Sequence, residues 1–125
     1  MDVKDKVVIV TGGGRGIGFG ISTAYAKAGA KLVITGRTEA TLLEAKKKLE
    51  AYGTSVLTVT ADGADEAAIK NVIAKTVEAY GKIDAVVNNA QASKSGKMLV
   101  DHTKEDFDLA IYSGLYATFF YMREA

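Results

Sequence analysis

The sequence predicts an α/β fold organised around a parallel, doubly wound sheet, and three observations predict it. Short runs of β-branched and aliphatic residues alternate with longer amphipathic stretches, and the alternation repeats along the whole chain. The first short run leads directly into a glycine-rich turn, Gly12 to Gly18. With 13 glycines and no proline, the composition suits regular elements punctuated by glycine turns, not a linker or a disordered tract.

In chain order, Val7-Val8-Ile9-Val10 is apolar throughout, as a strand covered on both faces must be. Helical sequence follows from about Gly16 to Lys27, and Gly29 closes it. Leu32-Val33-Ile34-Thr35 reads as a second buried strand. Leu42, Ala45, Leu49 and Tyr52 then recur at helical spacing beside a polar face of Glu44, Lys46, Lys47 and Lys48. Thr38 and Gly53 are the expected N- and C-caps of that helix. Val56-Leu57-Thr58-Val59 is the third strand. Ile69, Val72, Ile73, Val77 and Tyr80 are the expected buried stripe of a third helix, opening near Asp65 and stopping at Gly81. Ile83 to Val87 reads as a fourth strand at an uncovered edge. Thr103-Lys104-Glu105-Asp106 resembles a capping box and opens a last helix with no stop signal before Ala125. Strands joined by helices of this length imply right-handed crossovers.

Composition narrows the function classes. The 125 residues, 48% hydrophobic and 25% charged, form one core. A net charge of +1 offers no field for nucleic acid or an anionic membrane. The absence of cysteine excludes disulfides, thiolate catalysis and cysteine-ligated metal. His102, the one histidine, sits beside Asp101 ahead of a helix cap and reads as a surface-loop residue, so no metal site is expected. No apolar run approaches the roughly 20 residues of a membrane helix. The first residues carry no signal-peptide pattern, which makes the cytoplasm the expected address.

The glycine turn carries the chemistry. Thr11-Gly12-Gly13-Gly14-Arg15-Gly16-Ile17-Gly18 lies between the first strand and the first helix, where the first βα turn of a Rossmann fold belongs. A tight turn there needs positive φ, a phosphate needs bare backbone to approach, and the helix must pack closely on the strand. Glycine meets all three needs, and the helix N-terminus adds free N–H groups and a partial positive charge. A Walker-type phosphate loop is excluded because no Gly-Lys-Ser/Thr follows. The turn is therefore expected to hold the pyrophosphate of a nicotinamide dinucleotide through Gly12, Gly14, Arg15, Gly16, Ile17 and Gly18.

The end of the second strand bears on which dinucleotide. An acid there would bond a ribose 2′-hydroxyl; this chain has Gly36, followed by Arg37 and Thr38. A guanidinium binds a 2′-phosphate that a carboxylate would repel, and Arg15 could close on it from the other side. Both arginines alternatively read as solvated charges. Together they favour NADP(H) over NAD(H). The lack of an acid also argues against a methyltransferase using a sulfonium cofactor.

The spacing Thr-Gly-x-x-x-Gly-x-Gly resembles the classical short-chain dehydrogenase/reductase family. Asp62 after the third strand, Asn88-Asn89-Ala90 after the fourth, and Phe107-Asp108-Leu109-Ala110-Ile111 in the last helix match further family elements. The resemblance implies that Asp62 contacts the adenine and that Asn88 and Ala90 line the cofactor cleft. It also implies a small-molecule alcohol or ketone substrate and a homo-oligomer paired through the 103–125 helix. That helix carries Tyr112, Tyr116, Phe119, Phe120 and Tyr121, apolar nearly all round. In the family, chemistry belongs to a Tyr-x-x-x-Lys pair, an upstream Ser and an Asn in the interface helix. None of the six tyrosines here is followed four residues later by lysine, so no catalytic residue is assigned. Residues 1–125 are expected to be the dinucleotide-binding portion of a single domain that continues past residue 125, an incomplete sheet of four βα units. This stretch alone is expected to be inactive. Two positions depart from the family pattern: Gln91 replaces the glycine closing Asn-Asn-Ala-Gly, and Gly114 stands where the helix Asn belongs. Ser113 is then a candidate substitute hydroxyl donor. Ser93-Lys94-Ser95-Gly96-Lys97 is a polar loop at the carboxyl-end crevice. Both departures, with their flanks, resemble a bacterial NADP-dependent 12α-hydroxysteroid subgroup of that family. The expected activity is interconversion of a secondary alcohol and a ketone; the alternative is a dinucleotide-binding module without turnover.

Overall fold

A computed structural model describes residues 2–125. Four parallel strands, β1 (Val7–Thr11), β2 (Lys31–Gly36), β3 (Val56–Thr60) and β4 (Ala85–Val87), form one sheet in the order β3-β2-β1-β4. Helices α1 (Gly16–Lys27), α2 (Glu39–Glu50) and α3 (Glu66–Tyr80) make the crossovers. The sheet is the expected Rossmann-type α/β arrangement, with β4 at an edge. Alternation along each strand splits the core in two. Val8, Val10, Leu32 and Ile34 pack with Ala26, Leu42, Ala45 and Leu49 of α1 and α2. Ile9 and Val33 point the other way, with Val59, Ile69, Val72, Ala117 and Tyr121. Covering both faces is why these strands are apolar at every position, each fully buried aliphatic side chain contributing about 1.5–3 kcal/mol.

Three boundaries differ from expectation for physical reasons. Helix α2 ends at Glu50, and Gly53 (φ +90°) lies in the turn beyond, so Ala51 is the C-cap. Tyr52, on that turn, is about half exposed instead of joining the core. In α3 the buried residues are Ile69, Val72 and Thr76, whereas Val77 is exposed. Thr76 falls nearer the centre of the stripe than Val77, and its hydroxyl is satisfied within the helix by the Val72 carbonyl at 2.7 Å. Strand β4 is shorter than expected. The backbone N–H of Asp84 donates to the Val7 carbonyl at 2.9 Å, and its carboxylate accepts the Val7 N–H at 2.8 Å. The Asp84 side chain thus takes a ladder position, and strand pairing begins one residue later.

The last helix opens as expected: the Thr103 hydroxyl accepts the Asp106 N–H at 3.1 Å and the Asp106 carboxylate accepts the Thr103 N–H at 3.2 Å. It is not one regular helix. Helix α4 (Lys104–Ala110) passes into a π-helical segment, Ile111–Tyr116, and then into α5 (Ala117–Glu124). Tyr121 is buried against the sheet, while Tyr112, Tyr116 and Phe119 are exposed, Tyr112 and Tyr116 stacked at 5.0 Å.

The Val7 N–H, and next the Lys82 ammonium at 3.0 Å, hold the Asp84 carboxyl below its ordinary range. A lowered pKa means stability that is present above the ordinary carboxylate pKa and lost as pH falls through the folded value. Circular-dichroism melts between pH 6 and pH 3 should show a falling Tm, and Asp84→Asn should flatten that fall while lowering Tm at pH 6.

Candidate functional site

The carboxyl ends of β1 and β4 are tied by one side chain from each. The Thr11 hydroxyl oxygen accepts the backbone N–H groups of Asn89 and Ala90, both at 2.9 Å, and the hydroxyl donates to the Val87 carbonyl at 3.3 Å. In return the Asn89 amide donates to the Thr11 carbonyl at 3.1 Å. Above this knot the chain turns through Gly12 (φ +64°) and Gly16 (φ +57°) into α1.

Backbone proximity dictates glycine here. A Cβ on Gly18 would lie 1.9 Å from the Gly12 carbonyl oxygen and 2.6 Å from the Asn89 amide nitrogen. One on Gly13 would fall 2.8 Å from both Ile34 and the Ser22 hydroxyl. That hydroxyl, fully buried, donates to the Gly13 carbonyl at 3.2 Å. Gly14 and Gly36 both abut Leu42, which would meet their Cβ atoms at 3.1 and 3.3 Å. The turn is thereby pressed against β1, β2 and α2, with its backbone bare toward solvent. Helix α1 has no acidic residue in its first turn and no side-chain N-cap bond, so its leading N–H groups remain available to an anion.

The turn opens into a cleft of about 1010 Å³ at the carboxyl end of the sheet. Every residue that the sequence assigned to a cofactor lines it: Gly12, Gly14, Arg15, Gly16, Ile17, Gly18, Arg37, Thr38, Asp62, Asn88 and Ala90. Arg15 and Arg37 are exposed, and among the described residues no carboxylate pairs with either guanidinium. Thr38 occupies the N-cap position of α2 without a side-chain bond to the helix. Asp62 folds one carboxylate oxygen onto the Ala64 N–H at 2.9 Å. Ile17 is 80% exposed, leaving an apolar side chain on the rim.

Tyr121 and Thr35 form part of the inner wall. Burial pushes the Tyr121 phenol above its ordinary pKa, with the Thr35 hydroxyl acting in the opposite sense. Ser113 also reaches the cleft, but its hydroxyl is committed: it accepts the Ala92 N–H at 2.9 Å, with the Leu109 carbonyl at 2.6 Å and the Ala92 carbonyl at 2.9 Å as acceptors. It staples the chain after β4 to the helix instead of offering a free donor. The polar loop is closed from outside by Lys97, whose ammonium lies 2.8 Å from Asp106. That contact and the Thr103 N–H bring the Asp106 carboxyl down to about 2. His102 is only partly exposed, with its Nδ1 4.0 Å from the same carboxylate.

The sequence placed Thr11 and Gly13 in the turn, Thr35 in a strand and Tyr121 in a helix without assigning them to the site, and it did not single out Ser22. The signal for Ser22 was present: Gly18, Ser22 and Ala26 are small residues at successive helical turns, the mark of a helix lying close on a sheet. Thr35 and Tyr121 meet only through tertiary packing. Among the described residues no cluster of three or more acidic or histidine side chains could hold a metal, and no helix is long and apolar enough to cross a membrane.

A short chain dehydrogenase family model matches residues 6–125. The chain is 54% identical to a 12alpha-hydroxysteroid dehydrogenase of Clostridium sp., covering 95% of this chain and 49% of that protein. Among solved structures, it superposes with a TM-score of 0.90 on a short chain dehydrogenase from Burkholderia cenocepacia in complex with NADP. That match is 32% identical and covers 100% of this chain and 51% of the other. L-sorbose reductase from Gluconobacter frateurii, complexed with NADPH and L-sorbose, matches with a TM-score of 0.91 at 29% identity, over 99% of this chain and 48% of that one. The chain thus spans about half the length of the relatives it matches.

Gly18→Ala should destabilise the fold by about 1–3 kcal/mol, the usual cost of overpacking, because backbone must move. It should also abolish dinucleotide binding. Gly20 has open space around its would-be Cβ, so Gly20→Ala should be neutral or stabilise by up to about 1 kcal/mol. Urea titration with dinucleotide fluorescence checks both.

Proposed function

The chain belongs to the short-chain dehydrogenase family, and we propose that its cleft binds NADP(H) in preference to NAD(H) for an oxidoreductase interconverting a secondary alcohol and a ketone. The observation that carries this reading is the pairing of a bare glycine turn with two guanidinium groups that no carboxylate among the described residues neutralises. The residues fit the cofactor: Gly18 has no room for a Cβ, the positive φ of Gly12 disfavours a side chain there, and α1 presents free N–H groups beside them. In this reading Gly12, Gly14, Gly16, Ile17 and Gly18 hold the pyrophosphate. Arg15, Arg37 and Thr38 hold the 2′-phosphate, Asp62 the adenine, and Asn88 and Ala90 the inner wall. The bound nicotinamide would supply the hydride acceptor or donor.

A hydroxysteroid is the preferred substrate class, supported by the 54% identity to the clostridial hydroxysteroid dehydrogenase. We place residues 1–125 as the cofactor portion of a longer single domain, in keeping with their coverage of about half of each relative. A homo-oligomer through the 103–125 helix is supported by the exposure of Tyr112, Leu115, Tyr116 and Phe119. The cytoplasm is the proposed compartment. The alternative reading is dinucleotide binding without turnover; the 125 residues contain no Tyr-x-x-x-Lys pair, and they span about half the length of the relatives. On either reading this stretch alone would be inactive.

Titration of the intact gene product with both dinucleotides, followed by a panel of bile acids and simple ketones with NADPH, separates the readings. Arg37→Ala should weaken NADPH binding by roughly 10- to 100-fold, the worth of charge-assisted hydrogen bonds, and leave NADH within about twofold. Tighter binding of NAD(H) than NADP(H) by the unmodified protein would overturn the assignment.

A further inference from the structure

The core changes chemistry at the layer that meets the cleft. On one side of the sheet Ile9, Val33 and Val59 pack with Ala117 and Tyr121 of α5 in a single cluster. Two residues further along β1 and β2, the same face carries Thr11 and Thr35, which are register partners. Thr11, Thr35 and Tyr121 are 4%, 3% and 2% exposed, and all three line the cleft. The Thr11 hydroxyl is committed to the knot with β4. The Thr35 hydroxyl stands within hydrogen-bonding reach of the Tyr121 phenol instead. Stability alone does not account for this pair. Burying two hydroxyls carries a desolvation penalty that their mutual bond only offsets, and phenylalanine opposite valine would fill the same space without it.

Thr35 is the last buried residue of β2; Gly36 is partly buried and Arg37 exposed. Leu42 closes on Gly36 from the α2 side, where it would meet a Cβ at 3.3 Å. Tyr121 meets Thr35 on the opposite face. The chain that carries Arg37 and Thr38 therefore leaves a strand end gripped on both faces, by packing on one and by a directional bond on the other. The end of β3 is pinned beside it. The Ala61 N–H donates to the Gly36 carbonyl at 2.9 Å, and a Cβ on Gly63 would meet Ala117 of α5 at 3.2 Å. Tyr121 itself is too enclosed to take a phosphate, so its effect on one passes through Thr35.

We propose that Tyr121 is a positioning residue for the 2′-phosphate end of the cofactor site: by bonding Thr35 it fixes the direction in which β2 hands the chain to Arg37, and so strengthens the preference for NADP(H) over NAD(H). The proposal rests on the NADP(H) reading of the cleft. An exposed guanidinium must be ordered when an anion binds, and a strand end that is already fixed lowers that cost. NAD(H) carries a hydroxyl in place of the 2′-phosphate, so its binding draws little on Arg37 and is insensitive to the pair.

The test uses the intact gene product with Tyr121→Phe, Thr35→Val, Thr35→Ser and the double variant Tyr121→Phe/Thr35→Val. Kd for NADPH and for NADH, Tm, and the kcat and KM of ketone reduction are measured for each. Tyr121→Phe and Thr35→Val should each weaken NADPH binding about three- to tenfold, the worth of one ordinary hydrogen bond, with NADH within about twofold. KM for NADPH should rise with kcat unchanged, and Thr35→Ser should retain the affinities of the unmodified protein. The double variant should bind NADPH no more weakly than the worse single variant. A purely structural role would lower Tm and leave the ratio of the two Kd values alone. Tyr121→Phe removes a single oxygen, so that ratio is readable even where Thr35→Val fails to fold. A ratio changed by less than about threefold in Tyr121→Phe, or a double variant whose losses simply multiply, overturns the proposal. An unmodified protein that binds NADH at least as tightly as NADPH overturns the NADP(H) reading instead, and the role of Tyr121 with it.

Discussion

Everything at the carboxyl end of this sheet depends on one distance: the backbone of α1 at Gly18 lies so near the Gly12 carbonyl that a single methyl group has no place between them. That approach sets how steeply the chain leaves β1 and where the first N–H groups of α1 point. It is held from three sides. Ser22 bonds the turn from within α1, Thr11 and Asn89 lash it to β4, and Leu42 of α2 closes over Gly14 and Gly36. None of these contacts is with a ligand, yet together they fix the shape that an anion would meet. Preorganisation of this kind spares binding the cost of ordering a loop.

The cleft carries charges of both signs. Arg15 and Arg37 line it without a carboxylate partner among the described residues, and Asp62, Glu105 and Asp108 line it as well. Two guanidinium groups lining one cleft without a carboxylate partner raise the positive potential there, even in a chain of net charge +1. Exposed helix pairs such as Lys46 with Glu50 contribute little to stability. The two arginines contribute through what they leave unneutralised.

Most of the architecture was legible because burial on two faces writes an unmistakable pattern: Val7-Val8-Ile9-Val10 and Leu32-Val33-Ile34-Thr35 admit no other reading once helices separate them. The glycine turn was legible for the same reason, its place between strand and helix being a matter of local order. Legibility ended where the deciding contact was not local. Thr76 and Val77 stand about 100° apart around α3, and which of them is buried depends on how the whole helix is rotated against the sheet. Nothing local in Ile111–Tyr116 marks the switch to the i→i+5 bonding of a π-helix. Gln91 and Gly114 each read as a separate anomaly, because nothing in a linear string says that the two meet in space.

The seat of Leu42 on Gly14 and Gly36 divides the site into two inheritable parts. Gly13 and Gly18 of the glycine turn are locked by backbone and packed side chains, and a side chain at either disturbs the fold. Arg37 and Thr38 lie just beyond the lock, exposed, with no structural bond to lose. On the proposed NADP(H) reading, selection could thus exchange the residues assigned to one end of the cofactor while the fold and the glycine turn stay untouched. Such a layout lets one scaffold drift between reductive and oxidative cofactor pools by a few substitutions at a single connection.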